Sequence, residues 1–567
     1  MKRSYIIPPR VVQAIEALIL LIAAVFFALH AVHLNADFPN HSPWMDWAKY
    51  TDEGWYGDGA IRHFQRGQWY VPGDFNPAAA LPVWPLLEAA LFRFTGVSLT
   101  AARALTVAIF GLILLASYAL LGRWHHLSSE YTSSDRKNRS AATLAPAVAV
   151  LLLAVSPFCY VFTRIAILEP LLILFTLLAL LAASYSPSVE QLGSTAPIRR
   201  RILNSLPLLA LGVLLPLMVL TKTTAIFLFP AIAWLLWARA GYSLRRFLRL
   251  AAPAATLAIV AWLCYYIFAV RPHFLSDYRY LFSANGYTGI TPSTLLVVVG
   301  KTIADGRWIG HLLCPMALLA VVSVFLLRPT LLRNPLVPAL LLWAAGYVAF
   351  LAYHNNLQPR YYLVLAIPLT LLVPVVFLNL LDSSSAERSV NRTALRRMAA
   401  TSIASALAIL AISDARQTWH YVRTPDYAFS TAAAQIRKIV SSDSTHNPLI
   451  LSISGSQLSL MTGLPSICDD FGTMDLPVRI QAYRPGWYVT WNQVDDDKMD
   501  ALAPLYHLQR VAAFPAFDDP ERNLLIVYRL DPATTPSTPP RPRRKSTAPH
   551  LVRTGFGSKP TQQPPTL

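Results

Sequence analysis

Charge is scarce in this chain. Asp, Glu, Lys and Arg make up 14% of its 567 residues and apolar types 54%, whereas an average soluble domain carries about 25% charged residues. So little charge cannot coat a soluble particle of this size, and a soluble cytosolic enzyme is excluded. Cysteine is scarce as well: Cys159, Cys264, Cys314 and Cys468 form no CxxC and no Cys/His spacing, so neither a disulfide framework nor a zinc site is implied. No GxGxxG, phosphate loop or Ser/His/Asp set is present in the C-terminal part, so acceptor positioning or structural cover is expected of it rather than catalysis. Acids are outnumbered by bases, 30 to 48, for a formal charge of +18. Where that excess sits decides whether it signals nucleic acid, anionic lipid or membrane topology.

What the chain has instead is long apolar runs. Eleven candidate spans lie near 11–31, 98–121, 141–160, 165–184, 206–221, 223–238, 250–270, 310–327, 335–353, 361–381 and 398–414, several approaching the roughly 20 residues that a helix needs to cross a bilayer. The first is read as an uncleaved span rather than a signal peptide, because it is long and others follow. With the N-terminus cytoplasmic, the inside segments hold twenty Lys and Arg and the outside connections eleven. That bias places residues after 415 outside the cytoplasm. It also accounts for the positive charge without a nucleic-acid partner.

Two outside connections are long, 32–97 and 271–309, and both are rich in aromatics, Gly and Pro. Beyond 415 the pattern changes to short strands ("PLILSIS", "SICDD", "WYVTWN", "QRVAAFPAF", "NLLIVYRL") and helices ("STAAAQIRKIV", "SQLSLMTG", "DDKMDALAPLY"), with a Pro/Gly loop after "SICDD". The domains expected are a membrane module over 1–415, an extracytoplasmic α/β domain over 416–531, and a disordered basic tail over 532–567, where nine prolines and six basic residues stand without an acid. The tail suits contact with anionic membrane lipids.

The chemistry-bearing stretch is "YTDEGWYGDGAIRHFQRGQWYVPGDFNP", residues 50–77. A helix starting near Thr51 places Asp52 and Tyr56 on one face with Glu53 beside them. The plain alternative is a helix N-terminus whose acids only answer the helix dipole. Glu169 stands in an apolar run, where an unpaired carboxylate is costly, so it is expected to face a polar cavity or a partner. Trp44, Trp47, Trp55, Tyr56, Trp69, Tyr70 and Trp84 suit either an interfacial belt or a sugar-binding surface. His63 and Asn76 are further polar groups of the same loop.

"DEGWY" followed by "FNPAAALPVWPLLEAALFRFTGVSLTAARAL" resembles the first outside loop and second span of membrane glycosyltransferases with the GT-C fold, especially bacterial aminoarabinose transferases and protein O-mannosyltransferase relatives. "TRIAILEPLLILF" (163–175), "LTKTTAIFLFPA" (220–231) and "PRYYLVLAIP" (359–368) follow in that family's order. The resemblance covers roughly 1–415. It implies transfer of a hexosyl or pentosyl unit from a polyprenyl-phosphate sugar to a lipid, glycan or protein acceptor of the cell envelope, at the plasma (inner) membrane. Carried over, Asp52 is the general base and Glu53 supports it. Lys222, Arg360, Arg164 and Tyr361 bind the donor phosphate, unless the basic groups merely snorkel to head groups. Asp52 and Glu169 are the candidates to hold a divalent cation, Mg or Mn. One departure is plain: a Glu-Lys-Pro-Pro run of the aminoarabinose transferases is replaced by "FNPAAALP", which removes a lysine expected near the phosphate. The competing functions are a transporter or flippase of a lipid-linked saccharide and a membrane-anchored binding domain.

Overall fold

The computed structural model describes residues 9–123, 127, 142–187, 198–284, 289–304, 310, 312–354, 357–383, 390–453 and 455–533. The basic tail and most of the inside loops at 122–140 and 185–205 lie outside the described residues. Among the described residues, six helices are long and apolar enough to cross a membrane: Arg10–Leu29, Leu99–Gly122, Leu168–Tyr185, Leu244–Ser283, Leu336–Tyr353 and Pro359–Leu380. Shorter apolar helices occupy Ala142–Val155, Ser205–Thr221, Thr223–Arg239 and Leu313–Leu326. The first helix is apolar all round and largely exposed, as suits a face turned to lipid.

Several expected spans differ in detail. The run 141–160 is not one helix. It breaks at Ser156, because Pro157 has no N–H to continue the ladder and the Ser156 hydroxyl starts a new turn by accepting the Cys159 N–H at 3.2 Å. The run 223–238 opens as a 3-10 turn over Thr223–Leu228 before becoming α-helical at Phe229–Arg239. Lys222 sits extended at that interruption, with φ −157° and ψ 124°. The stretch 398–414 lies inside a 34-residue helix, Val390–Arg423, which is not among the apolar helices above.

The C-terminal part is a five-stranded sheet in the order β2-β1-β3-β5-β4. Strands β1 (Ile450–Ser452), β2 (Ser466–Cys468) and β3 (Trp487–Trp491) run parallel, and β5 (Leu524–Pro532) joins β3 to β4 (Tyr506–Pro515) in antiparallel pairing. Parallel neighbours need a crossover; the helices Gly455–Thr462 and Leu476–Tyr483 follow β1 and β2 and supply it. The second of these helices occupies the expected Pro/Gly loop. Pro477 reads as a breaker, yet it stands in the first turn, where a missing N–H costs nothing.

Candidate active site

The helix Asp52–Arg66 forms as the sequence implies, ending at Gly67 in the left-handed region, φ 71°. Asp52 and Glu53 are each 1% exposed, but they face different neighbours. Adjacent residues lie about 100° apart around a helix. Glu53 is gripped by Arg103 through two parallel bonds, 2.7 and 2.6 Å, and also accepts the Ala166 N–H at 2.9 Å. It therefore locks three segments together and shares none of these partners with Asp52.

Asp52 turns to a second set. Its Oδ2 lies 2.9 Å from an Arg360 guanidinium nitrogen, and Arg360 also donates from its guanidinium and, at 2.8 Å, from its backbone N–H to Asp46. Lys222 donates to Glu169, and its ammonium lies over the Tyr361 ring, 4.4 Å from the centroid. Arg360 faces the same ring at 4.7 Å. These residues come from four places: the first outside connection, the opening turn of Leu168–Tyr185, the break at Lys222, and the start of Pro359–Ser383; Tyr347, in the second half of Leu336–Tyr353, lies within electrostatic reach of Glu169, Tyr361 and Arg360. Helices that begin and helices that end here share one end of the bundle, so the site is a product of antiparallel packing.

Burial raises the Asp52 carboxyl above its ordinary value. Arg360 opposes the shift, whereas Asp46 and Glu169 add to it. Buried polar atoms line the same region: Glu169 Oε2, which has no hydrogen-bond partner, and the Thr224 and Tyr347 hydroxyls, which face one another. Buried polar atoms are normally paired, so the Glu169 oxygen marks a place suited to a polar ligand.

Not every expected residue converges here. The Arg164 guanidinium donates to the Val32 and His33 carbonyls, 2.7 Å each, and to the Tyr160 hydroxyl, so it pins the end of the first helix. Lys222 and Arg360 do not snorkel; they are 7% and 5% exposed. Trp44 is core, packed on Phe158 and Phe162, His63 stacks on Trp69, and Asn76 joins a buried network with Arg62 and Asp277. Asp46 and Tyr347 are parts of the site that sequence reasoning missed. An acid within the aromatic run "WMDWAKY" was the available signal for the first; a tyrosine in an apolar helix gave none for the second.

Asp52 and Glu169, the candidates to hold a divalent ion, are not joined by a third ligand side chain among the described residues. Each already faces a cation of the chain.

No protein-family model and no curated protein matches the sequence. Among solved structures, ArnT from Cupriavidus metallidurans bound to undecaprenyl phosphate superposes with a TM-score of 0.53 at 14% identity, over 90% of this chain and 97% of that one. The arabinofuranosyltransferase AftD from Mycobacteria gives 0.46 at 14% identity, over 92% of this chain and 40% of that one. The first likeness is one of fold, and with it the architecture is established: a polytopic helical membrane protein of the GT-C fold that carries a small C-terminal α/β domain.

Proposed function

We propose that the protein is an integral-membrane glycosyltransferase that moves a sugar from a polyprenyl-phosphate donor to a hydroxyl of a lipid, glycan or protein acceptor on the extracytoplasmic face. The observation that carries this reading is the buried cluster of Asp52, Arg360, Glu169, Lys222 and Tyr361, drawn from distant parts of the chain to one end of the bundle. The fold shared with a protein that binds undecaprenyl phosphate supports the donor class.

In this reading Asp52 takes the acceptor's proton as its oxygen attacks the anomeric carbon. The bond from that carbon to the phosphate oxygen breaks, and its electron pair stays on the phosphate. Lys222 and Arg360 meet the charge that develops there. Three carboxylates, Asp46, Asp52 and Glu169, face two cations. An arriving phosphate therefore competes with Glu169 for Lys222 and with the two Asp side chains for Arg360. We assign charge neutralisation to these side chains rather than to Mg or Mn.

The test is a membrane assay with synthetic polyprenyl-phosphate pentose and hexose donors, following donor loss and the glycosylated product. Lys222→Gln is expected to lower turnover in a way that excess donor does not restore, because the contact strengthens as the bond breaks. Wild-type kinetics in Lys222→Gln would remove the phosphate site from the account.

A further inference from the structure

The helix that carries Asp52 lacks a cap of its own. Thr51 stands at its N-cap position but makes no side-chain capping bond, so the first-turn N–H groups need acceptors from elsewhere. The α/β domain provides one. Gln457 Oε1 accepts the Gly54 N–H at 2.8 Å in a buried contact, across 403 residues of sequence. Gln457 is 1% exposed and lies on the helix Gly455–Thr462.

The contact extends down one face of the helix. The Ser456 hydroxyl donates to Asp58, and Gln65 Nε2 donates to the Ser459 carbonyl at 3.0 Å. Positions 54, 58 and 65 share a face by helical spacing, and 52 lies about 200° round from 54. One side of the helix therefore meets the domain while the other holds the base. Gly54 makes this approach possible: a Cβ there would lie 2.0 Å from the Gln457 backbone nitrogen. Behind it, Arg62 is paired with Asp58 at 2.7 Å and Asp74 at 2.5 Å, and Arg479 of the domain meets Asp74 at 2.8 Å, all in buried surroundings.

Capping also runs in the other direction. The domain helix Ala428–Ser442 has no side-chain cap from Tyr427. Asp37, from the first outside connection, accepts the Phe429 N–H at 2.7 Å and the Ser430 N–H at 3.1 Å. Each element thus completes a helix of the other.

We propose that Gln457 is a positioning residue for Asp52: the α/β domain caps the base-bearing helix in trans and sets the direction in which Asp52 points. This rests on the assignment of Asp52 as general base. A small misplacement of a reacting group costs about a hundredfold in rate, so removing the cap is expected to lower kcat by about 10- to 100-fold and leave the donor KM unchanged.

The experiment uses the full-length protein with a synthetic polyprenyl-phosphate sugar found to be turned over. Gln457→Met keeps the side-chain length and removes the acceptor, whereas Gln457→Glu keeps an acceptor. The first is expected to lose turnover and the second to retain most of it. In an Asp52→Asn background Gln457→Met is expected to add no further loss, because a positioning residue has nothing left to position. Wild-type kcat in Gln457→Met while Asp52→Asn is inactive would overturn the positioning role alone; an active Asp52→Asn would overturn the base assignment and the positioning role with it. A loss that simply multiplies in the double variant would also overturn it. Should Gln457→Met not accumulate as folded protein, hydrogen exchange of the wild-type peptide covering 51–57 decides: protection of the Gly54 amide is expected, and exchange as fast as in an exposed loop would contradict the cap.

Discussion

As the proposed base, Asp52 has to be ionised to accept a proton, and its burial beside Asp46 and Glu169 opposes ionisation. The raised carboxyl places the acid limb of the activity profile at higher pH than an ordinary aspartate would give. Activity is therefore expected to rise with pH through that limb. Arg360 holds the limb down, so in Arg360→Gln whatever activity remains is expected to show its limb moved further to alkaline pH; an unmoved limb in a pH series of kcat/KM would remove Arg360 from contact with the base. Glu53 predicts differently. Its pairing with Arg103 is buried, and breaking such a pair from one side costs about 3–5 kcal/mol. Arg103→Leu is thus expected to reduce folded protein, read as a lower melting temperature in detergent, whereas a pure loss of turnover at unchanged stability would make the pair catalytic. Because the proposal gives the leaving phosphate's charge to Lys222 and Arg360, prior treatment with a chelator is expected to leave transfer unchanged. Complete loss restored by Mg or Mn would assign a metal to the site. The resemblance makes Glu53 a support for Asp52, and the structure gives the two adjacent acids different partners, Arg103 and Arg360, about 100° apart around the helix. Glu169 was legible because a carboxylate in an apolar run is costly unless it is partnered; Lys222, Arg360 and Tyr361 were legible only through the family resemblance of their segments. Asp46 was not, since nothing local ties it to Arg360, 314 residues away.

At the scale of elements, periodicity located the helix after Thr51 and all five strands, because alternation and apolar runs are local properties. It failed where a tertiary partner decides. Helix Leu476–Tyr483 was hidden by Pro477, and acceptors for first-turn N–H groups of helices Asp52–Arg66 and Ala428–Ser442 come in part from remote segments that no window contains. Gly54 tests that point. Its alanine variant would drive a Cβ into the backbone of the docked helix, whereas a Cβ at Gly122 meets nothing within 4 Å. Gly54→Ala is therefore expected to loosen the α/β domain, seen as faster proteolysis at its junction, and Gly122→Ala to match wild type. Equal protease resistance of the two variants would contradict the tight approach.

On the scale of the whole molecule, the twenty-to-eleven distribution of Lys and Arg is the ground for proposing that the N-terminus lies inside and the α/β domain outside. The site lies at one end of the bundle, under that domain, so domain and site belong on the same face. A cysteine introduced on the exposed surface of β4 is expected to react with an impermeant thiol reagent added from outside; reaction only from the cytoplasmic side would invert the topology. The central claim is that this buried cluster transfers a sugar with Asp52 as its base. Asp52→Asn keeps the size of the side chain and abolishes proton acceptance. The most direct measurement is turnover of polyprenyl-phosphate sugar onto a hydroxyl acceptor by Asp52→Asn at wild-type membrane levels. The account predicts a fall of about two to four orders of magnitude with the fold retained, and turnover close to wild type would contradict it.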